Sequence, residues 1–163
     1  MRHSLRLRTA WILTLAVCFA LTSWTPLTAQ QGDIAVVVHP DVPIDNLTLG
    51  DLRRIVLGDR AFWPASVRVT LLLRAPVAHE RDVVLKTVCE MTEAQFRQYW
   101  IAKVFRADVA VAPKIVYTSQ TALDQATQTP GAITFVDASQ VSKTMKVVRI
   151  EGLLPGENGY ILR

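Results

Sequence analysis

Cysteine is almost missing from this chain. There are two in 163 residues, and Cys18 lies in an uncharged apolar run near the start, which leaves Cys89 alone in the remainder. No disulfide can form within residues 30–163, and cysteine-rich zinc sets are excluded with it. Histidine is equally scarce, at three residues, of which His39 and His79 lie beyond the first thirty. No zinc-protease, paired Cys-x-x-Cys, Gly-x-Ser-x-Gly or phosphate-loop pattern occurs. Without a nucleophile–base pair or a ligand cluster, the chain reads as a non-enzyme that needs neither metal nor cofactor. Glycine is also sparse, at seven residues, and half of the chain is hydrophobic, which excludes a disordered or low-complexity sequence.

A concentrated basic surface is missing as well. The formal net charge is +4, but Arg2, Arg6 and Arg8 carry most of it, and without them 15 basic residues face 14 acidic ones. Polyanion binding needs basic residues gathered on one face, so nucleic acid is not an expected partner. From Thr9 to Gly32 there is no charge at all, and Ala10–Leu21 is the apolar heart of that stretch. A cationic start, a short apolar run and small residues at Thr28-Ala29 have the layout of a secretory signal peptide over residues 1–29. The run is short for a span of about 20 residues. The expected product is an exported, periplasmic domain over residues 30–163.

Those residues carry an interleaved pattern. Ile34–Val38 is a continuous β-branched run, the mark of a strand covered on both faces. Thr48 with Asp51 sets up a capping box for a helix bearing Leu49, Leu52, Ile55 and Val56, and Gly58 stops it. Val67–Leu73 reads as a strand, Glu80–Cys89 as a helix, and Thr92 with Gln95 opens another. In the latter, Phe96, Trp100 and Val104 form a stripe expected to be buried. Ser119 caps a helix that Pro130-Gly131 ends, and Ala132–Val136 and Lys146–Ile150 complete the strands. Alternating strands and helices predict a single α/β layered domain with a mostly parallel or mixed sheet, its last strand an antiparallel edge.

In such sheets ligands sit beyond the carboxyl ends of the strands, where helices begin. Arg74 follows the second strand and the next helix begins near Ala78-His79, so a guanidinium and free backbone N–H groups meet there. Two readings stand side by side: a small-oxyanion site, or an exposed arginine paired with Glu80 or Asp82. Thr118 and Ser119 form a second helix entrance, either anion-facing or ordinary N-caps. Cys89 falls on the apolar face of its helix and reads as a structural thiol. His39 reads as a solvated loop residue. Trp63, Tyr99, Trp100 and Phe105 are candidates for a pocket wall, with Trp100 core by its spacing, and Arg53 and Arg54 form the wet face of the first helix.

Four segments in order carry a family resemblance: IAVVVHP from Ile34, LGDLRRIVLGDRAFW from Leu49, Tyr99-Trp100 with Phe105, and TPGAITFV from Thr129. Together they resemble the phosphate-type periplasmic solute-binding proteins of ABC transporters, from Ile34 to Ile150. The resemblance implies a type 2 periplasmic-binding fold, here a shortened or single-lobe member, without the preceding Gly-Ser segment of full-length relatives. It implies phosphate or a related oxyanion as ligand, with a membrane transporter or sensor protein as partner; on that reading Arg74 supplies the charge and the helix entrances at His79 and at Thr118-Ser119 supply the donors. The chain departs from the family where Ser-Gly-Thr follows the strand-end arginine, because Ala75-Pro76-Val77-Ala78 stands there. The alternative is a periplasmic protein-interaction or sensory module that has lost anion binding.

Overall fold

The computed structural model describes residues 32–163; the expected signal segment lies outside the described residues. Strand β1 (Ile34–Val38) has every side chain buried, as its unbroken apolar run requires. Around it lie β2 (Asn46–Leu47), β3 (Thr70–Arg74), β4 (Lys114–Val116), β5 (Ala132–Asp137) and β6 (Lys146–Ile150), in the order β2-β6-β1-β5-β3-β4. Strands β3, β4 and β5 run parallel to one another, β1 runs antiparallel to β5 and β6, and β2 runs parallel to β6. The sheet is therefore mixed. β6 is antiparallel to β1 as expected but is not an edge, because β2 lies outside it.

Helices α1 (Leu49–Val56), α2 (His79–Val83) and α3 (Glu93–Phe105) cover one face, while α4 (Ser119–Gln128) covers the other. Thr48 caps α1 by accepting from the Asp51 N–H at 3.0 Å. The Thr92–Gln95 box at α3 is complete in both directions. Gly58 stands just past α1 with φ of 71°, a conformation that costs glycine little. The helix read as Glu80–Cys89 starts at His79 and loosens into a π-helix over Val84–Cys89. Thr118, not Ser119, is the N-cap of α4.

Two side chains depart from expectation. Val104 is 46% exposed rather than buried, and Lys103 beside it is 7% exposed. The Lys103 ammonium donates to the Leu57 carbonyl at 2.9 Å and to Asp59 and Tyr99, so the register of α3 is turned toward a polar tether behind α1. His39 is buried, and its Nδ1 accepts from the Asp41 N–H at 3.2 Å, which replaces the solvent expected for a loop residue.

Cys89 is fully buried in the core, and burial pushes its thiol up to about 12, with the Arg53 charge opposing. The ordinary thiol value is 9.0, so between those values the native state holds a proton that the unfolded chain has lost. Stability contributed by the neutral thiol is therefore complete below the unfolded value and is lost as pH rises through the window up to about 12, by about 1.4 kcal/mol at pH 10. Urea titrations of wild type and Cys89→Ala at pH 7 and pH 10 check this: the wild type should lose that much more on going alkaline. An equal loss in both would mean that the thiol titrates freely.

Candidate anion site at a sheet switch point

The chain leaves β3 toward α2 on one face and leaves β4 toward α4 on the other. Adjacent parallel strands whose following segments diverge in this way open a crevice beyond their carboxyl ends. Arg74, the last residue of β3, pairs in register with Val116, the last residue of β4. Thr118-Ser119 follows two residues later, so the topology alone brings these positions to one end of the sheet.

Arg74 is nearly buried, with its side chain 12% exposed, so the second reading is corrected as to exposure while its pairing with Glu80 is found. Its Nε lies 3.5 Å from the Glu80 carboxylate, and that carboxylate also accepts a 3.3 Å hydrogen bond from Ser119 Oγ. Arg74, Glu80 and Ser119 thus form one cluster. Arg74 Nε and Nη1 are nonetheless buried without a hydrogen-bond partner. A guanidinium presents five donors, and leaving a buried charge short of acceptors is costly. Arg81 behaves differently. It grips Glu93 through two bonds of 2.7 and 2.9 Å and donates to the Arg74 carbonyl at 3.1 Å. Of the two neighbouring arginines, the strand-end one is left under-satisfied.

The other predicted positions divide. Thr118 Oγ1 accepts from the Thr121 N–H at 3.1 Å, so its hydroxyl caps α4, the second of its two readings. His79 opens α2, and its Nε2 is buried without a partner; among the described residues no hydrogen bond joins it to Arg74, Glu80 or Ser119. No side chain caps α2. Between Arg74 and α2, Val77 has φ of 69° and is fully exposed. A β-branched residue in the left-handed region is strained, and such strain gathers at functional sites. Tyr117, the first residue after β4, is 78% exposed.

The expected pocket wall also separates into parts. Trp63 is buried, with its indole donating to the Gly131 carbonyl at 2.8 Å, and Tyr99 donates to the Leu57 carbonyl at 3.2 Å. Trp100 and Phe105 line an apolar groove of about 540 Å³ with Ile101, Val104, Pro113 and Ile115. Arg54 is exposed as expected, and Arg53 reaches Glu90 at 3.3 Å.

No family model and no curated protein matches the chain. Solved structures do. An ABC-type phosphate transport receptor from Vibrio cholerae superposes with a TM-score of 0.62 at 19% identity, over 76% of this chain and 48% of that one. PstS from Borrelia burgdorferi gives 0.64 at 13% identity, over 80% and 54%. A phosphate binding protein from Stenotrophomonas maltophilia gives 0.58 at 9%, over 76% and 40%. The fold is that of phosphate substrate-binding proteins. The chain spans about half the length of these structures. The likeness stated from the four sequence segments therefore holds at the level of fold. Neither Glu80 as the carboxylate joining Arg74 to Ser119 nor the Arg81–Glu93 pair beside it stood out in the sequence as a site element. An acidic residue one position inside a helix, six residues after a strand-end arginine, was the available signal for the first.

Proposed function

We propose that this domain binds a small oxyanion of the phosphate type at the Arg74 end of the sheet, as an exported solute-binding module serving a membrane transporter or sensor. The observation that carries this reading is the Arg74 guanidinium, nearly buried, ion-paired at 3.5 Å with the Glu80 carboxylate that Ser119 also contacts, yet with Nε and Nη1 making no hydrogen bond. An oxyanion in the crevice supplies those acceptors, and charge-assisted bonds to it are about twice as strong as neutral ones. Glu80 is the competing negative charge and must turn aside or share the arginine. The solved structures of the same fold support the ligand class by their own names. The apolar start of the chain supports export, and no helix among the described residues is long and apolar enough to cross a membrane.

Titration calorimetry with phosphate, sulfate and small carboxylates tests the reading. Binding of an oxyanion at millimolar concentration or below is expected, and Arg74→Ala should weaken it at least tenfold, about 1.4 kcal/mol. No heat with any of these anions would remove the proposal. A second reading, a protein-interaction or sensory module, is favoured by the exposed Val77 and Tyr117 that flank the site. On that reading anions give no heat, and Val77→Ser with Tyr117→Ser abolishes capture of a membrane partner while Arg74→Ala does not.

A further inference from the structure

A second cavity, of about 670 Å³, opens at the other end of β3 from Arg74, where Arg68, Thr70 and Leu71 line it. Thr70 and Arg74 are four residues apart, about 13 Å along a strand, so the two places are separate. Its volume lies within the range of about 300–1,000 Å³ that small-molecule sites occupy. The walls are apolar, from Ile55, Phe62, Leu71, Trp100 and Val109, and three cations stand among them: Arg60, Arg68 and Lys114. Asp108 is the one acidic residue in the lining, and Arg106 already holds it at 2.9 Å. Arg68 and Lys114 have no ion-pair partner among the described residues. Arg60 is paired with Asp51 at 3.5 Å and stacked 5.6 Å over the Trp63 ring with its Nε on the Phe62 carbonyl at 3.3 Å, which leaves Arg68 and Lys114 as the unbalanced charges.

Apolar walls with an unbalanced positive charge favour a guest that is apolar over most of its surface and negative at one point. We propose that this cavity is a second ligand site, for an organic anion that carries a carboxylate or sulfonate on an aromatic or aliphatic body. Arg68 and Lys114 recognise the charged group, and Ile55, Leu71 and Val109 take the body. A bare inorganic oxyanion would leave those walls unfilled, which distinguishes this site from the one at Arg74.

The probe is 8-anilinonaphthalene-1-sulfonate, with N-phenyl-1-naphthylamine as its uncharged counterpart, titrated by fluorescence into the purified protein. Saturable sulfonate binding at one site is expected, weakened at least tenfold in the double variant Arg68→Ser, Lys114→Ser. Both replaced side chains are exposed, and circular dichroism confirms that the fold is kept. Binding of the uncharged probe should be weaker and unaffected by the double variant. Inorganic phosphate at millimolar concentration should leave the sulfonate signal unchanged, whatever it does at Arg74. The proposal fails if the double variant binds the sulfonate as wild type does, or if both probes bind equally tightly. It fails also if Ile101→Ser in the apolar groove removes the signal, or if phosphate displaces the probe.

Discussion

Truncating Trp100 to alanine is expected to lower the unfolding free energy by about 3–5 kcal/mol, seen as a lower urea midpoint with an unchanged slope. The indole sits where three parts of the fold meet. Its ring makes edge contacts with Phe96 at 6.3 Å and with Tyr99 at 6.4 Å between centroids. Its far edge closes on Gly58, where even a methyl group would come within 2.6 Å of Cη2. Alanine here leaves a void that backbone on one side and α3 on the other cannot both fill. Phe105 is the internal control: it is five residues further along the same helix, larger than most side chains and 92% exposed. Its truncation should cost less than about 0.5 kcal/mol. A loss of under about 1 kcal/mol at Trp100 would mean that the indole borders open space on its whole inner side, not a packed core.

That contrast between two aromatic residues of one helix shows where periodicity is informative and where it stops. Phe96 and Trp100 follow the four-residue spacing and are buried, whereas Val104 continues it and is not. Spacing gives the direction of a side chain but not the length of the neighbour it faces. Beyond Trp100, Val104 and Phe105 line the apolar groove with Ile115 of the three-residue β4. Both short strands escaped the sequence reading for the same reason. Asn46–Leu47 and Lys114–Val116 are too brief for a two-residue period to register, and their identity as strands depends on partners far along the chain. β1, β3 and β5 were legible because strands covered on both faces need continuous apolar runs.

The site was legible in part by the same logic. Arg74 stands out because a charge ends a five-residue strand whose middle is wholly buried. Ser119 stands out as a polar residue at a helix entrance. Neither fact says that both belong to one cluster, since that follows from β3 and β4 being neighbours and from Glu80 reaching both side chains. Glu80 was considered only as the partner of an exposed arginine, because burial of a whole ion pair leaves no trace in local sequence. Thr118 shows the converse ambiguity. A threonine before a helix carries the same signature whether it faces a ligand or caps the helix, and here Thr121 takes its oxygen.

Gly131→Ala should be as damaging as the loss of Trp100, although it adds one carbon and removes none. Sequence reading assigns Gly131 only the end of α4. The structure gives it three duties. Its φ is 72°, and a side chain in that conformation costs about 1–2 kcal/mol by itself. A Cβ there would lie 2.0 Å from the Arg68 carbonyl oxygen. That atom is backbone and cannot rotate away, so relief requires the segment ahead of β3 to shift, at the upper end of the usual overpacking cost of about 1–3 kcal/mol. The same shift strains two bonds to the Gly131 carbonyl, from the Thr70 N–H at 3.0 Å and the Trp63 indole at 2.8 Å. A total near 3–5 kcal/mol is expected from these costs taken together, to be measured by urea unfolding. The damage should also be directional. Trp63 carries Arg60, and Arg68 and Thr70 line the second cavity, so sulfonate binding should weaken in the surviving folded fraction. The Arg74 end, held by β4 and α4, should keep its oxyanion affinity. Equal loss at both ends would show that the sheet responds as one rigid body, and a stability loss under about 1 kcal/mol would show that the Arg68 carbonyl yields freely.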